Sequence, residues 1–291
     1  MPDTKVIVIC NNKGGVGKTT CVSAIADILA RKLKKSTLLI DADPQGNLSG
    51  RFGFNPENTP VNNSFDVLLQ NELDLACHIK GSEKIPFSFF CNTCKRYSTK
   101  TNIRNDYENL KIICSSGDLE HVIMNYTARP QESDGIVRHL MQEIRAAHEF
   151  DYVLIDTQPN LSYLLNQIFL GSDYVIVPVE PTEDAFSGAK AIGNVFNNAA
   201  QKKSEFKTDD NIDFLGVFFN KWKKGTMSSN KFEREMENIW GNNPVFATRV
   251  PWNQDAENAA NKAAPVTIAR PSSPSAKAFE SLAREMVDKI G

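Results

Sequence analysis

The chain has 291 residues, of which 41% are hydrophobic and 23% charged, and its formal net charge is -2. This length suits one large α/β domain or two small ones, and the charge excludes a polycation, so any nucleic-acid site must be a local patch. No apolar run approaches the length of a membrane span and the N-terminus leads into a strand rather than a signal peptide, so we expect a cytoplasmic protein.

Short apolar segments alternate with helical patterns along most of the chain. They predict buried strands at residues 5–10, 37–40, 110–114, 152–155, 174–179, 214–219 and 245–250. Continuous apolar strands that alternate with helices are typical of a parallel sheet covered on both faces. The sequence therefore predicts an α/β fold with a doubly wound, mostly parallel sheet, which binds its ligand at the carboxyl ends of the strands.

A glycine-rich loop follows the first strand and opens a helix. Its residues are Asn12, Lys13, Gly14, Gly15, Val16, Gly17, Lys18, Thr19 and Thr20. Glycines let successive backbone N–H groups approach phosphate oxygens, and the N-terminus of the helix points at the same oxygens. Lys18 can reach the β/γ-phosphates and Thr19 can offer its hydroxyl to Mg²⁺. This order of elements predicts a P-loop nucleoside triphosphatase.

The loop departs from the common P-loop pattern at two positions. Asn12 stands where that pattern has its first glycine, and Lys13 adds a second lysine. A second ammonium beside Lys18 is repelled by it while the site is empty. Lys13 is either a solvated surface charge or a residue that interacts with phosphate. We favour an interaction with phosphate, either in its own site or in that of a partner.

Two aspartates follow later strands at the same predicted edge of the sheet. Asp43 lies beyond the second strand, where a carboxylate can orient an attacking water or hold a water of the metal. Asp156 ends the strand at residues 152–155, a place from which a carboxylate commonly serves the Mg²⁺ shell. Either aspartate alone could be a helix N-cap or a turn residue, but the nearby P-loop favours the functional interpretation.

Three motifs together resemble the deviant-Walker ATPases and, among them, the ParA family of DNA-partition ATPases. They are Lys13-Gly-Gly-Val-Gly-Lys-Thr-Thr20, Asp41-Ala-Asp-Pro-Gln-Gly-Asn47 and Asp151-Tyr-Val-Leu-Ile-Asp156. The resemblance runs nearly end to end, with weaker matches at residues 109–120, 175–179, 216–220 and 275–285. It implies an ATPase of weak intrinsic turnover that uses ATP and Mg²⁺ and forms a homodimer when ATP is bound.

The resemblance also implies a role for each matching position. Lys13 would be the signature lysine, which crosses to the nucleotide of the partner subunit, and Lys18 and Asp43 would join it in catalysis. Thr19, Asp43 and Asp156 would serve the metal. The nucleotide-binding positions would be Gly14, Gly15, Val16, Gly17, Lys18, Thr19, Thr20, Asn220, Pro251 and Asn253, the last three at the adenine. Two departures are Gln158, where the family usually has a second proline, and Trp252, where an arginine is common.

The same resemblance implies a cellular function. The ATP-bound dimer would bind DNA without sequence preference, and a centromere-binding, ParB-like protein would stimulate hydrolysis. The chain resembles the short form, without an extra N-terminal helix-turn-helix domain, and would be associated with the nucleoid. The alternative is a MinD-like or cargo-positioning ATPase that acts on a membrane or a protein scaffold. We expect no membrane binding, because the amphipathic last helix carries acidic residues and its apolar stripe fits a core.

Two regions stand apart from the motifs. Residues 82–106 predict an insertion within a single domain of residues 1–291, and residues 201–211 predict a charged surface loop. In the insertion, Cys91 and Cys94 could bind a metal with Cys77 or His78, act in redox chemistry, or be a reduced pair. A metal or iron–sulfur carrier is therefore a second alternative.

Basic residues gather in the last quarter of the chain. They are Lys221, Lys223, Lys224, Lys231, Arg234, Arg249, Lys262, Arg270, Lys277 and Arg284. They fit either a solvated face or a phosphate-binding patch that dimerisation would double, with salt-sensitive binding. No base-reading motif is visible, so we expect DNA binding to ignore sequence.

Overall fold

The computed structural model describes most of the chain as one sheet flanked by helices. The described residues are 3–54, 64–66, 68–69, 91–92, 107, 109–130, 135–182, 185–205, 211–223, 229–241, 244–260 and 264–291. None of the helices in these ranges has the length and apolarity that a membrane span requires.

Eight strands from the described ranges form the sheet. They are β1 (Lys5–Ile9), β2 (Thr37–Ala42), β3 (Cys91–Asn92), β4 (Leu110–Ile113), β5 (Tyr152–Thr157), β6 (Tyr174–Val179), β7 (Asp213–Trp222) and β8 (Val245–Pro251). Their order is β3-β4-β2-β5-β1-β6-β7-β8, and every neighbouring pair is parallel except β3 with β4. The predicted doubly wound, mostly parallel sheet is confirmed.

Helices cover both faces of this sheet. They are α1 (Lys18–Asp27), which continues as a π-helix (Ile28–Lys32), α2 (Asn47–Arg51), α3 (Leu119–Ala128), α4 (Ile136–Ala146), α5 (Tyr163–Gly171), α6 (Ala185–Glu205), α7 (Ser229–Trp240), α8 (Gln254–Ala260), α9 (Val266–Ala269) and α10 (Pro274–Ile290). In β1, Val6 and Val8 point into one apolar cluster with α4 and α5, while Ile7 and Ile9 join a second cluster with α1 and α10. This alternation explains why β1 is apolar at every position after Lys5.

The last helix is part of the core. Ser273 caps α10 by accepting a 3.2 Å hydrogen bond from the backbone N–H of Ala276. Phe279, Leu282 and Met286 are buried in the cluster that also holds the apolar face of α1. The apolar stripe of α10 therefore packs against its own protein, as the sequence predicted.

Two regions differ from expectation or fall partly outside the structure. Residues 201–205 continue α6 instead of forming a loop, and Lys203 is buried, with its ammonium donating to the carbonyl oxygens of Ser172 and Asn211 at 2.5 and 3.0 Å. Within residues 82–106 only Cys91–Asn92 is described, as an edge strand on β4. Cys94, Cys77 and His78 lie outside the described residues, and the part that is described holds no group of three or more His, Cys, Asp or Glu fit for a metal.

Candidate nucleotide-binding site

The glycine-rich loop joins β1 to α1 and is tied to β7. The side-chain amide of Asn220 donates a 2.7 Å hydrogen bond to the backbone oxygen of Val16. Gly17 has a φ of 91°, and a Cβ on it would lie 2.2 Å from the amide nitrogen of Asn220. Only glycine fits there, both because of the backbone conformation and because of this close approach. Asn220 was expected at the adenine, and the structure also shows it fixing the shape of the loop.

Lys18 lies at the start of α1 with its side chain turned over the loop. Its ammonium donates to the backbone oxygen of Lys13 at 3.3 Å. Burial lowers the pKa of Lys18, and the nearby carboxylates of Asp156 and Asp43 act in the opposite direction. An anion that entered the loop would stabilise the charged form of Lys18, offset the cost of its burial and meet a lysine already in place.

Asp156 is the last buried carboxylate of β5, and its register sets it beside Asp41 of β2. Its Oδ2 atom accepts a 2.7 Å hydrogen bond from the Thr19 hydroxyl. Its Oδ1 atom is buried and has no hydrogen-bond partner among the described residues. Burial, followed by the neighbouring carboxyl of Asp41, raises the pKa of Asp156 to about 8. An unpartnered carboxylate oxygen beside a hydroxyl fits a hard cation, which prefers oxygen ligands and would also favour the ionised form.

The two aspartates after β2 have different surroundings. Asp41 is fully buried and accepts hydrogen bonds from the backbone N–H and the hydroxyl of Ser49 at 2.8 and 2.7 Å. Burial raises the pKa of Asp41 to about 6, against the effect of these bonds. Asp43 lines the cleft at the carboxyl edge of the sheet, and its Oδ1 atom accepts a 3.0 Å hydrogen bond from the backbone N–H of Gln45. Asp41 therefore holds the turn from β2 to α2, while Asp43 is placed to meet a ligand.

A cleft of about 1010 Å³ runs along the carboxyl edge of the sheet, a size typical of small-molecule sites. Of the residues that the sequence assigned to the site, ten line it: Gly14, Gly15, Gly17, Lys18, Thr19, Thr20, Asp43, Asn220, Pro251 and Asn253. Val16 and Asp156 are buried behind the lining. The loops after β1, β2, β7 and β8 are thus brought together as expected for a parallel sheet.

Lys13 is the one predicted phosphate-binding lysine that does not line the cleft. Its backbone N–H donates to the side chain of Asn11 at 2.9 Å. Its ammonium lies 3.4 Å from the hydroxyl of Thr182, just beyond β6. The ammonium groups of the two loop lysines, five residues apart in sequence, therefore lie in different places, and of the two only Lys18 lines the cleft of its own chain.

The cleft includes residues that sequence analysis did not select. Arg51 ends α2, lines the cleft and donates to the hydroxyl of Thr20 at 3.3 Å. Phe54 and Pro159 also line it. Arg51 follows the second motif by only four residues, so its position in the sequence was a usable signal. No feature of the sequence indicated that Phe54 or Pro159 would line the cleft.

The basic residues do not behave as one group. Arg270 and Arg284 lie 3.5 and 3.1 Å from the carboxylates of Asp255 and Glu280. Lys223 lies over the ring of Trp252, 4.8 Å from its centroid, and Trp252 is 44% exposed at the cleft. Lys224, Lys262 and the side chain of Lys231 lie outside the described residues.

A second basic position, Arg249, lies over the ring of Trp222 at 4.9 Å. Lys221 near the end of β7 and Lys223 just beyond it add positive charge beside the cleft, and the ammonium of Lys221 lies 3.9 Å from the carboxylate of Glu180. The sequence had grouped ten basic residues, and the structure singles out these three as neighbours of aromatic rings or of the cleft.

Comparison with known proteins identifies the family of the chain. The profile of the AAA domain family matches residues 4–208. The chain is 27% identical to the virulence plasmid ParA family protein pGP5-D of Chlamydia psittaci, over 98% of this chain and 95% of that protein. It is 26% identical to the chromosome-partitioning ATPase Soj of Treponema pallidum, over 99% and 98%.

Solved structures show the same fold. Apo McdA from Cyanothece superposes with a TM-score of 0.72 at 18% identity, covering 99% of this chain and 100% of that one. MinD from Pyrococcus horikoshii, solved with Mg-ADP, superposes with a TM-score of 0.67 at 22% identity, covering 99% and 97%. The chain belongs to the AAA domain family, as a P-loop ATPase of the ParA/MinD type.

Proposed function

We propose that the protein is an Mg²⁺-dependent ATPase that works as a nucleotide switch in DNA partition. ATP closes a homodimer that binds DNA without sequence preference, and hydrolysis releases it. A ParB-like centromere-binding protein sets the timing. Residues 1–291 act as one ATPase domain in this proposal, with an insertion at 82–106. The observation that carries it is the separation of the two loop lysines, Lys18 in the cleft and Lys13 beside it.

The position of Lys13 supports a second subunit. Within one chain, Lys18 lines the cleft, whereas Lys13 does not line it and its ammonium lies beside the hydroxyl of Thr182. An ammonium beside one phosphate site and directed away from it can serve a phosphate brought by another copy. A dimer formed over bound ATP gives Lys13 that partner, and loss of the γ-phosphate on hydrolysis removes a reason for the dimer to stay closed.

The cleft residues divide the work of hydrolysis. Lys18 and the backbone of the loop hold the phosphates, and Asp43 orients the attacking water. Thr19 and Asp156, with Asp43 at the cleft, supply the oxygen ligands for Mg²⁺, whose chemical contribution when bound is to neutralise charge on the phosphate oxygens. Pro251, Asn253 and Asn220 border the end of the cleft that would take the adenine. The Mg-ADP in the MinD structure supports this choice of ligand.

The features of the chain favour DNA over a membrane as the surface that the protein binds. Two relatives are named for partition or as ParA family proteins. The apolar stripe of α10 is buried, whereas Lys221, Lys223 and Arg249 gather beside the cleft, where a dimer would bring two sets together. In this proposal the protein is cytoplasmic and associated with the nucleoid. MinD and McdA share the fold, so a membrane or protein scaffold is the alternative.

Binding assays in parallel separate these surfaces. Wild-type protein is tested in a mobility-shift assay with a duplex of arbitrary sequence, with ATP, with ADP and without nucleotide. The same samples are sedimented with anionic liposomes. We expect a shift with ATP that weakens as salt rises, and no sedimentation. Liposome binding without DNA binding would contradict the proposal and support the MinD-like alternative.

A further inference from the structure

Arg51 is a half-buried arginine on the wall of the cleft. It is the last residue of α2, which begins at Asn47, the last residue of the Asp41–Asn47 motif. Its Nη2 atom donates to the hydroxyl of Thr20 at 3.3 Å. Its Nη1 atom is buried and has no hydrogen-bond partner among the residues that the structure describes. One half of the guanidinium is thus held on α1, and the other half offers a donor that no described residue accepts.

A donor of this kind is costly unless a ligand uses it. A buried polar group without a hydrogen bond destabilises a protein, and a charged one does so more strongly. Burial lowers the pKa of the Arg51 guanidinium, while the carboxylate of Asp156 acts in the opposite direction. The cleft beside it is the one that the P-loop lines, so the missing acceptor can be a phosphate oxygen, which matches the planar fork of arginine.

We propose that Arg51 binds the α/β-phosphates of the nucleotide from the wall of the cleft that α2 forms. This inference rests on the proposed function, because it requires a nucleotide in the cleft. Lys18 and Thr19 serve the β/γ-phosphates and Mg²⁺, whereas Arg51 contacts Thr20, the next residue along α1. Because the α- and β-phosphates are present in ADP and ATP, Arg51 strengthens the binding of both equally.

The competing explanation is that Arg51 only ties α2 to α1. The replacement Arg51→Met separates the two explanations, because methionine keeps apolar volume and removes the buried charge. If Arg51 only links α2 to α1, the Arg51→Met variant should have a lower melting temperature and an unchanged affinity for nucleotide. A phosphate ligand predicts an unchanged or higher melting temperature without nucleotide, and a smaller stabilisation by ADP.

Calorimetric titration measures the contact directly. Wild type, Arg51→Gln and Arg51→Lys are titrated with ADP and with a non-hydrolysable ATP analogue, both with Mg²⁺. We expect Arg51→Gln to weaken both ligands about ten- to hundredfold, as for loss of a hydrogen bond to a charged group. Arg51→Lys keeps the positive charge but lacks the planar guanidinium, so its affinities should lie between those of wild type and Arg51→Gln. Arg129→Gln, an exposed arginine outside the cleft, is the matched control and should bind like wild type.

Each other outcome has a definite meaning. Unchanged affinity in Arg51→Gln, or a loss for the ATP analogue alone, would overturn the inference and leave the proposed function in place. If Arg51→Met and Arg51→Gln do not fold, wild-type affinity in Arg51→Lys overturns it and a reduced affinity for both ligands supports it. A wild-type protein that binds neither nucleotide would overturn both the inference and the proposed function.

Discussion

The hydroxyl of Thr19 donates a 2.7 Å hydrogen bond to Oδ2 of Asp156, and this bond joins the first turn of α1 to the end of β5. The other carboxylate oxygen, Oδ1, is buried without a hydrogen-bond partner in the described part of the chain. The pair therefore combines a satisfied oxygen with an unsatisfied one at the place where the fold would put Mg²⁺. Much of the behaviour of the nucleotide-free protein follows from this arrangement.

The stability of the nucleotide-free protein should depend on the charge of Asp156. Burial raises the pKa of Asp156 to about 8, from 3.8 in an exposed aspartate. Between these values the folded protein holds a proton that the unfolded chain has released, so the free energy of unfolding falls as pH rises, by up to about 1.4 kcal/mol per pH unit. Above about pH 8 the contribution has been lost and the curve levels off.

Denaturant unfolding in EDTA, from pH 5 to pH 9, measures this slope. Asp156→Asn keeps an acceptor for Thr19 and removes the titration, so it should gain stability over wild type as pH rises. Asp288→Asn, at an exposed position of α10, is the control and should follow wild type. Parallel curves for Asp156→Asn and wild type would show that Asp156 is ionised throughout.

Lys18→Ala should abolish nucleotide binding. The variant removes the one loop lysine that lines the cleft, and with it the charge that faces the phosphates. We expect the affinity for ADP and ATP to fall by at least about a hundredfold in a calorimetric titration. Lys277→Ala, an exposed lysine of α10, should leave both affinities unchanged. Near-normal affinity in Lys18→Ala would mean that the cleft is not the phosphate site.

Asp43→Ala should separate binding from hydrolysis. Asp43 lines the cleft and its backbone turn is held by Asp41 and Ser49, so the replacement leaves the loop in place. We expect ATP binding and dimerisation to persist and phosphate release to fall about a hundredfold or more, the range for loss of a residue that positions or activates water. Normal turnover in a phosphate-release assay would remove Asp43 from catalysis. Asp288→Ala serves as the control.

The sequence predicted the sheet well because its strands are apolar on both faces. β6 was predicted to the residue, and the other parallel strands differed by a few residues at their ends. The motifs also placed Lys18, Thr19 and Asp43 at one edge, since parallel strands bring their carboxyl ends together. These features depend on local pattern and on the topology of the fold, both of which a sequence can show.

What the sequence did not show depends on contacts between distant residues. Lys203 looked solvated because it lies in a charged run, but two backbone carbonyls accept from its ammonium and allow it to be buried. Arg51 was missed because α2 has five residues and no usable periodicity. The burial of Asp156, and hence its raised pKa, follows from the packing of β5 between β2 and β1.

The central claim is that Lys13 serves the nucleotide of a second subunit, and the mass of the ATP-bound protein tests it most directly. Light scattering coupled to gel filtration is run with Mg-ATP on Asp43→Ala, in which slow hydrolysis keeps ATP bound, and on the double variant Lys13→Ala, Asp43→Ala. We expect Asp43→Ala to be a dimer with ATP and a monomer with ADP. The double variant should bind ADP normally and remain a monomer with ATP. A double variant that dimerises with ATP as readily as Asp43→Ala would contradict the account.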